Sequence, residues 1–242
     1  MSKPNFIHLP HPRLRTPRNR SACMWHLLNL VSRGYRHYTA GVIQDPRRVP
    51  LFVEKMHQQF GVLMSASGRT KRQKRGAPNT HLVVYQDWDG AWLWWLLFAG
   101  EESRVRAHAE RHREVLQDAT QANGRLRFRD EYLLRQRQRP REQGGGRVWT
   151  WVMTGATQTA VERQLIALAA AHGRGADRVD DLERAVQQLR NKPMFNGVRT
   201  QARHALHRAR QVWRKTHASD TAPPEALTMT LPWFSGRIRI YD

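Results

Sequence analysis

Seven arginines occupy odd-numbered positions between Arg125 and Arg141: Arg125, Arg127, Arg129, Arg135, Arg137, Arg139 and Arg141, with Glu131 and Leu133 as the interruptions. The chemistry open to such a row is neutralisation of anionic oxygens. A guanidinium stays charged at physiological pH, and its forked donors match phosphate. A period of two is the side-chain period of a strand, so the guanidinium groups share one face while Leu126, Phe128 and Leu134 turn toward a core. Like charges on one face repel by up to ~1 kcal/mol per neighbouring pair. Folding alone gives no reason for the row; a polyanion that neutralises it does.

A second constellation offers acid–base chemistry. Tyr35, His37 and Tyr38 stand among Arg33 and Arg36. Histidine with tyrosine and arginine neighbours suffices for metal-free RNA cleavage, in which the 2′-hydroxyl attacks and the protein supplies acid, base and charge. His37 and Tyr38 are the candidate catalytic residues of that reading. The plainer alternative is a strand histidine with a satisfied ring, because such combinations recur by chance among 12 His and 41 Lys+Arg.

Three further groups point toward phosphates and bases. Arg199, Arg203, His207, Arg210 and Arg214 recur at helical spacing, and no carboxylate occurs from Arg184 through Ser219. A merely solvated helix face would mix signs and gain i,i+4 pairs; this one forgoes them. Arg69, Lys71, Arg72, Lys74 and Arg75 fall within seven residues and read as a solvated basic loop acting as a mobile clamp. Trp149 and Trp151 share a strand face beside Arg147 and are the candidate stacking residues, whereas Trp88, Trp92, Trp94 and Trp95 crowd one hairpin and read mostly as core. A base stacked on an aromatic ring contributes ~1–3 kcal/mol.

Several chemistries lack their residues. No Gly-Lys-Ser/Thr phosphate loop is present, and Gly144–Gly146 reads as a hairpin turn. His108-Ala-Glu-Arg-His112 has its glutamate displaced from the position a zincin needs, so neither a metal nor any other cofactor is expected. Cys23 is the single cysteine, which excludes a disulfide framework and a Cys-based zinc site. The apolar stretches 22–31 and 91–99 are too short to span a bilayer, so no membrane partner and a cytoplasmic location are expected.

Composition agrees with a polyanion partner. The net charge is +21, with 41 Lys+Arg against 20 Asp+Glu. A GC-rich genome explains choosing Arg over Lys but not this excess of cations, which implies anionic partners. Forty per cent apolar residues with nine Trp are enough for a core.

The elements that must position these residues follow from periodicity and caps. Residues 1–20, rich in proline and free of acid, read as an extended basic arm. A helix capped by Ser21 runs to Ser32, followed by a strand over Tyr35–Ile43 and a helix whose stripe is Phe52, Met56 and Phe60. His81–Tyr85 and Trp92–Phe98 are strands around the Asp87–Gly90 turn, and Glu101–Ala119 reads as a polar helix. After the arginine strand comes a strand over Val148–Met153. The box Thr159-x-x-Glu162 and Asp181 then open helices, Asn196-Gly197 turns the chain, and Val198–His217 is a helix. The tail alternates Arg237, Ile238, Arg239, Ile240, as an edge strand does.

The segments Pro4–His8, Met24–Tyr38, Gly-Gly-Gly-Arg-x-Trp-Thr-Trp at 144–151 and Met194–Gly197 resemble uncharacterised basic proteins of proteobacterial integrative conjugative elements and plasmids. The resemblance spans most of the chain, carries over no catalytic residues, and implies a role in maintaining, transferring or defending a mobile element. The strand–helix–strand–strand order resembles the ferredoxin-like unit of RNA-recognition and CRISPR-repeat-processing proteins.

The sequence therefore predicts an α+β fold: a ferredoxin-like sheet with packed helices over residues 21–155, a basic helical region over 156–218, and a tail over 219–242. The expected function is binding of RNA or single-stranded DNA, with duplex DNA a lesser option. A metal-independent ribonuclease centred on His37, or a structural subunit of a ribonucleoprotein complex, are the alternatives.

Overall fold

A computed structural model describes residues 14–139, 141–171, 179–218, 221–234 and 240. Most of the basic arm and the alternating tail lie outside these. The fold is α+β, and the chain divides into two compact units between Leu126 and Arg127. The first predicted domain ran to residue 155; the division falls earlier, because the arginine strand pairs with the strand after it and not with the N-terminal sheet.

The first unit runs α1 (Arg20–Ser32), β1 (His37–Ile43), α2 (Val49–Phe60), α3 (Ala66–Lys74), β2 (Asn79–Gln86), β3 (Trp92–Ala99), α4 (Glu102–Arg111) and β4 (Gln117–Asp118). Its sheet order is β2-β3-β1-β4, every pairing antiparallel, which is the ferredoxin-like order. Register divides the side chains between two faces. Leu82 and Val84 of β2 and Trp92, Leu96 and Phe98 of β3 pack with Val49, Val53, Met56 and Phe60 of α2 and Val105 of α4. The other face, with Val83, Tyr85, Leu93, Trp95 and Leu97, is buried as well. There α1 lies against β2 and places His26 on His81. Both faces apolar explains why β3 reads as an unbroken apolar run and not as an alternation.

Local signals set the ends of these elements. Asn19, not Ser21, caps α1, its Oδ1 accepting from Ala22 N at 2.8 Å. Gly61 ends α2 at φ 68°. The orphan carbonyl of Phe60 accepts from Thr80 Oγ1 and from Arg72 Nη1, each at 2.6 Å. Residues 66–74 form helix α3, capped by Ser65, where the sequence predicted a loop; the Ser65 side chain accepts from Gly68 N. The predicted helix over Glu101–Ala119 ends at Arg111. Arg113 turns the chain at φ 60°, and Gln117 and Asp118 leave the helix to become the edge strand of the sheet.

The second unit runs β5 (Arg127–Phe128), β6 (Tyr132–Gln138), β7 (Arg147–Met153), α5 (Gly155–Ala171), α6 (Val179–Arg190), α7 (Asn196–Thr216) and α8 (Glu225–Thr228). Its three strands form an antiparallel meander in chain order. The expected helical region is present, but it packs on this sheet. The α5 helix begins at Gly155, ahead of the predicted Thr159 box, and Thr154 Oγ1 accepts from Thr157 N. Gly197 is helical rather than part of a turn. A Cβ there would overlap the Trp151 carbonyl, and its N–H donates to Thr150 Oγ1 at 3.0 Å. Gln201 fixes the same approach by bonding both Met153 N and Met153 O, so α7 is held directly on β7.

Candidate nucleic-acid interface

The period of two holds within β6 and breaks outside it. Phe128, Tyr132 and Leu134 are buried while Arg127 and Arg135 are exposed and Arg137 is half-exposed. Register places Arg127 opposite Leu133, Arg135 opposite Thr150 and Arg137 opposite Val148, all on one face. Arg129 leaves the row, because it turns the chain between β5 and β6 at φ 50°. Arg139 and Arg141 fall in the connection to β7, which turns through Gly144, Gly145 and Gly146, all at positive φ.

The same face carries Thr150 and Val152, against which α7 begins. Arg137 Nη1 donates to Thr200 Oγ1 at 3.1 Å, joining the arginine strand to the helix. One turn further along α7 stands Arg203, with His207 and Arg214 beyond, all exposed. The two flanks of α7 differ. On one, His204 and Arg208 approach Glu162 of α5, with Arg208 Nε 3.6 Å from its Oε1. On the other, no described carboxylate lies within ion-pair distance of Arg203 or Arg214, and the same holds for Arg135 on the strand.

Two predicted phosphate ligands on α7 are engaged within the protein. Arg210 is half-buried and donates through Nη2 to Leu227 O. Arg199 donates through Nε to Leu231 O at 3.4 Å, and its Cζ sits 3.6 Å from the centroid of the Trp233 ring. Desolvation, with the nearby Arg203, lowers the pKa of Arg199 from its ordinary value. The helical spacing seen in the sequence was right, but spacing does not show which members of a face meet a returning segment.

The aromatic expectation needs a larger correction. Arg147, Trp149 and Trp151 share a face, as predicted, but register places it opposite to Arg127, Arg135 and Arg137. Trp151 is fully buried and meets Phe128 edge-to-face at 6.5 Å. Its bulk fills the core, so it offers no ring to a base. Trp149 is half-exposed and Arg147 exposed.

The cations of the first unit serve partly as stitching. Lys71, Lys74 and Arg75 are exposed on and after α3. Arg72 reaches from Phe60 O to His108 Nε2 at 2.9 Å, which makes that nitrogen the acceptor and His108 neutral. Burial, and then the Arg72 charge, holds His108 down to about 4.

His37 and Tyr38, the candidate acid–base pair, are consecutive strand residues on opposite faces, and both are buried. The Tyr38 hydroxyl donates toward Gln117 Oε1 at 2.5 Å and lies 3.1 Å from Arg125 O. No shared cleft joins the two side chains.

A different histidine pair, not singled out by the sequence, is brought together instead. His26 Nε2 and His81 Nε2 are 3.1 Å apart, and Tyr35 packs edge-on against His81. Burial, reinforced by Arg33, holds His26 down to about 4. Burial, then His26 and Arg69, holds His81 down to about 3. The two rings share one hydrogen bond as neutral imidazoles. They stand 55 residues apart in the chain, and nothing in the local pattern marks them. Among the described residues no group of three or more His, Cys, Asp or Glu is placed to hold a metal ion, and no helix is long and apolar enough to cross a membrane.

No protein-family model matches the chain, and no match is found among curated proteins or solved structures.

Proposed function

We propose that this chain is a cytoplasmic nucleic-acid-binding protein of a bacterial mobile element, and that its second unit grips the phosphate backbone of RNA or single-stranded DNA. One observation carries the reading: Arg137 bonded to Thr200 makes a single cationic surface from the arginine face of β6 and the uncompensated flank of α7. Arg127, Arg135, Arg203 and Arg214 are the phosphate ligands on that surface, with Arg137 between them. Charges of one sign left unpaired at Arg135, Arg203 and Arg214, on two adjoining elements, favour a polyanion over a folded-state role.

In the first unit α1 lies against β2 on the sheet face that RNA-recognition domains leave open, and the β1 end of that face, at Ala40 and Val42, stays exposed. This supports placing the main contact in the second unit. The ribonuclease alternative, centred on His37, gains no support from the burial and opposed faces of His37 and Tyr38.

Fluorescence anisotropy against salt tests the reading. With five phosphates engaged, log Kobs should fall with log[salt] at a slope of roughly −3.5 on single strands. A slope shallower than about −2, or no binding at low salt, overturns it.

A further inference from the structure

Trp233 is 71% exposed, although its neighbour Phe234 stacks on Phe195 at 4.1 Å and Leu231 is buried. The exposure is constructed by the chain around it. Arg210 of α7 bonds Leu227 O and Arg199 bonds Leu231 O, so two arginines of one helix hold the segment at both ends. Pro232 restricts the backbone between the anchored Leu231 and the indole. Arg199 then covers one face of the ring, its Cζ 3.6 Å from the centroid, and Trp233 stays 71% exposed.

A large, mostly exposed aromatic ring backed by a guanidinium, with the exposed Arg203 one turn away, is a stacking surface for a flat partner. The other strongly exposed tryptophan, Trp88, is 75% exposed but sits in a hairpin turn between Asp87 and Asp89, where a phosphate would be repelled. Trp233 has Arg199 on its covered face, and Arg203 lies one turn of α7 from Arg199.

We propose that Trp233, backed by Arg199, stacks an unpaired nucleobase, so that this protein selects single-stranded nucleic acid over duplex. The inference rests on the phosphate-binding reading above and adds what that reading lacks, a contact that requires a base. In a duplex the base faces are already stacked on their neighbours, so the indole gains nothing from them. In a single strand the base is free to leave its neighbours for the ring, and the guanidinium behind the indole strengthens the stack electrostatically.

The test compares the full chain with Trp233→Ala and Trp233→Phe, after circular dichroism shows all three folded. Three probes of equal length are used: a short oligouridylate, the same backbone with abasic sites, and a duplex. Trp233→Ala should weaken oligouridylate binding roughly 5- to 100-fold, the range of one lost stack. Binding of the abasic strand and the duplex, and the salt slope, should not change, and Trp233→Phe should recover most of the loss. Equal weakening on the oligouridylate and abasic probes would mean that Trp233 only positions Arg199, and would overturn the stacking proposal. No weakening on any probe would overturn it too, while leaving the phosphate reading intact. Failure of the wild type to bind even the abasic strand would remove both.

Discussion

The two units spend their arginines differently. In the first, Arg72 closes a helix end and meets His108, and Arg20 lies 3.6 Å from the buried carboxylate of Asp87. Its sheet is apolar on both faces and largely buried on both, with Ala40 and Val42 of β1 exposed at one edge. In the second, one strand face is apolar, and the other is shared between Val152 and Thr150 beneath α7 and the arginines, which adjoin a helix flank that lacks carboxylates. A cation that bonds a carbonyl or a carboxylate has its charge largely answered within the fold. Arg135, Arg203 and Arg214, which lack such partners, keep a charge that an external anion would answer. Total charge therefore says less about function than where the unanswered charge collects.

The sharpest way to break this comparison is Trp151→Ala. If Trp151 is core, as its full burial indicates, the substitution should cost about 3–5 kcal/mol of stability, with a lowered Tm in a calorimetric scan. An unchanged Tm with lost binding would instead return Trp151 to the role of a stacking residue.

Acid separates the units next. In the first, His26 and His81 are held near 4 and 3 in the folded chain, against about 6.5 unfolded. The unfolded chain thus binds more protons between those values, so stability should be full above about pH 6.5 and fall as the pH drops toward 4. The loss is on the order of a few kcal/mol for the pair. His81→Phe, measured by urea denaturation across this range, should flatten the dependence; an unaltered pH profile would assign the acid sensitivity elsewhere.

Charge reversal sharpens the functional half of the contrast. Arg135→Glu with Arg203→Glu should weaken binding of a single strand by roughly 100-fold or more and reduce the salt slope, since two phosphate contacts are lost and two repulsions added. Lys71→Glu with Lys74→Glu, on α3 of the first unit, should weaken it by less than about 10-fold. The two pairs are compared by anisotropy at one salt concentration. Equal effects would spread the interface over both units. Arg210 is unsuited to such a test, because its bond to Leu227 O makes reversal a structural change.

The smallest expected effect is local. Asn19→Ala removes the α1 cap and should cost ~1 kcal/mol with binding unchanged, read as a small shift of the denaturation midpoint. A loss of binding would show that α1 does more than cover the sheet.

Much of the architecture was legible because it rests on short-range rules. Alternation marked β6, the helical spacing of Arg199, Arg203, His207, Arg210 and Arg214 marked α7, and the strand–helix–strand–strand order anticipated the ferredoxin-like sheet. Where local signals competed, the reading slipped. The polar run after Arg111 has helical composition, yet Gln117 and Asp118 are worth more to the fold as an edge strand beside His37 and Tyr38. Basic residues 69–75 have loop composition, yet Ser65 and the bond from Arg72 to Phe60 O hold a helix there.

The sequence by itself determined the excess of positive charge, the lack of a phosphate loop and of cysteine ligands, and the periodicities that put arginines on one strand face and one helix face. Periodicity says which residues share a face, because it follows from backbone geometry. It cannot say which face of one element meets another. Tertiary structure alone decided that the arginines of β6 adjoin α7 while Trp149 and Trp151 turn away, that Arg199 and Arg210 hold a returning segment, that Trp233 stands open beside them, and that His26 meets His81. Those are contacts between residues far apart in the chain, chosen by how whole elements pack.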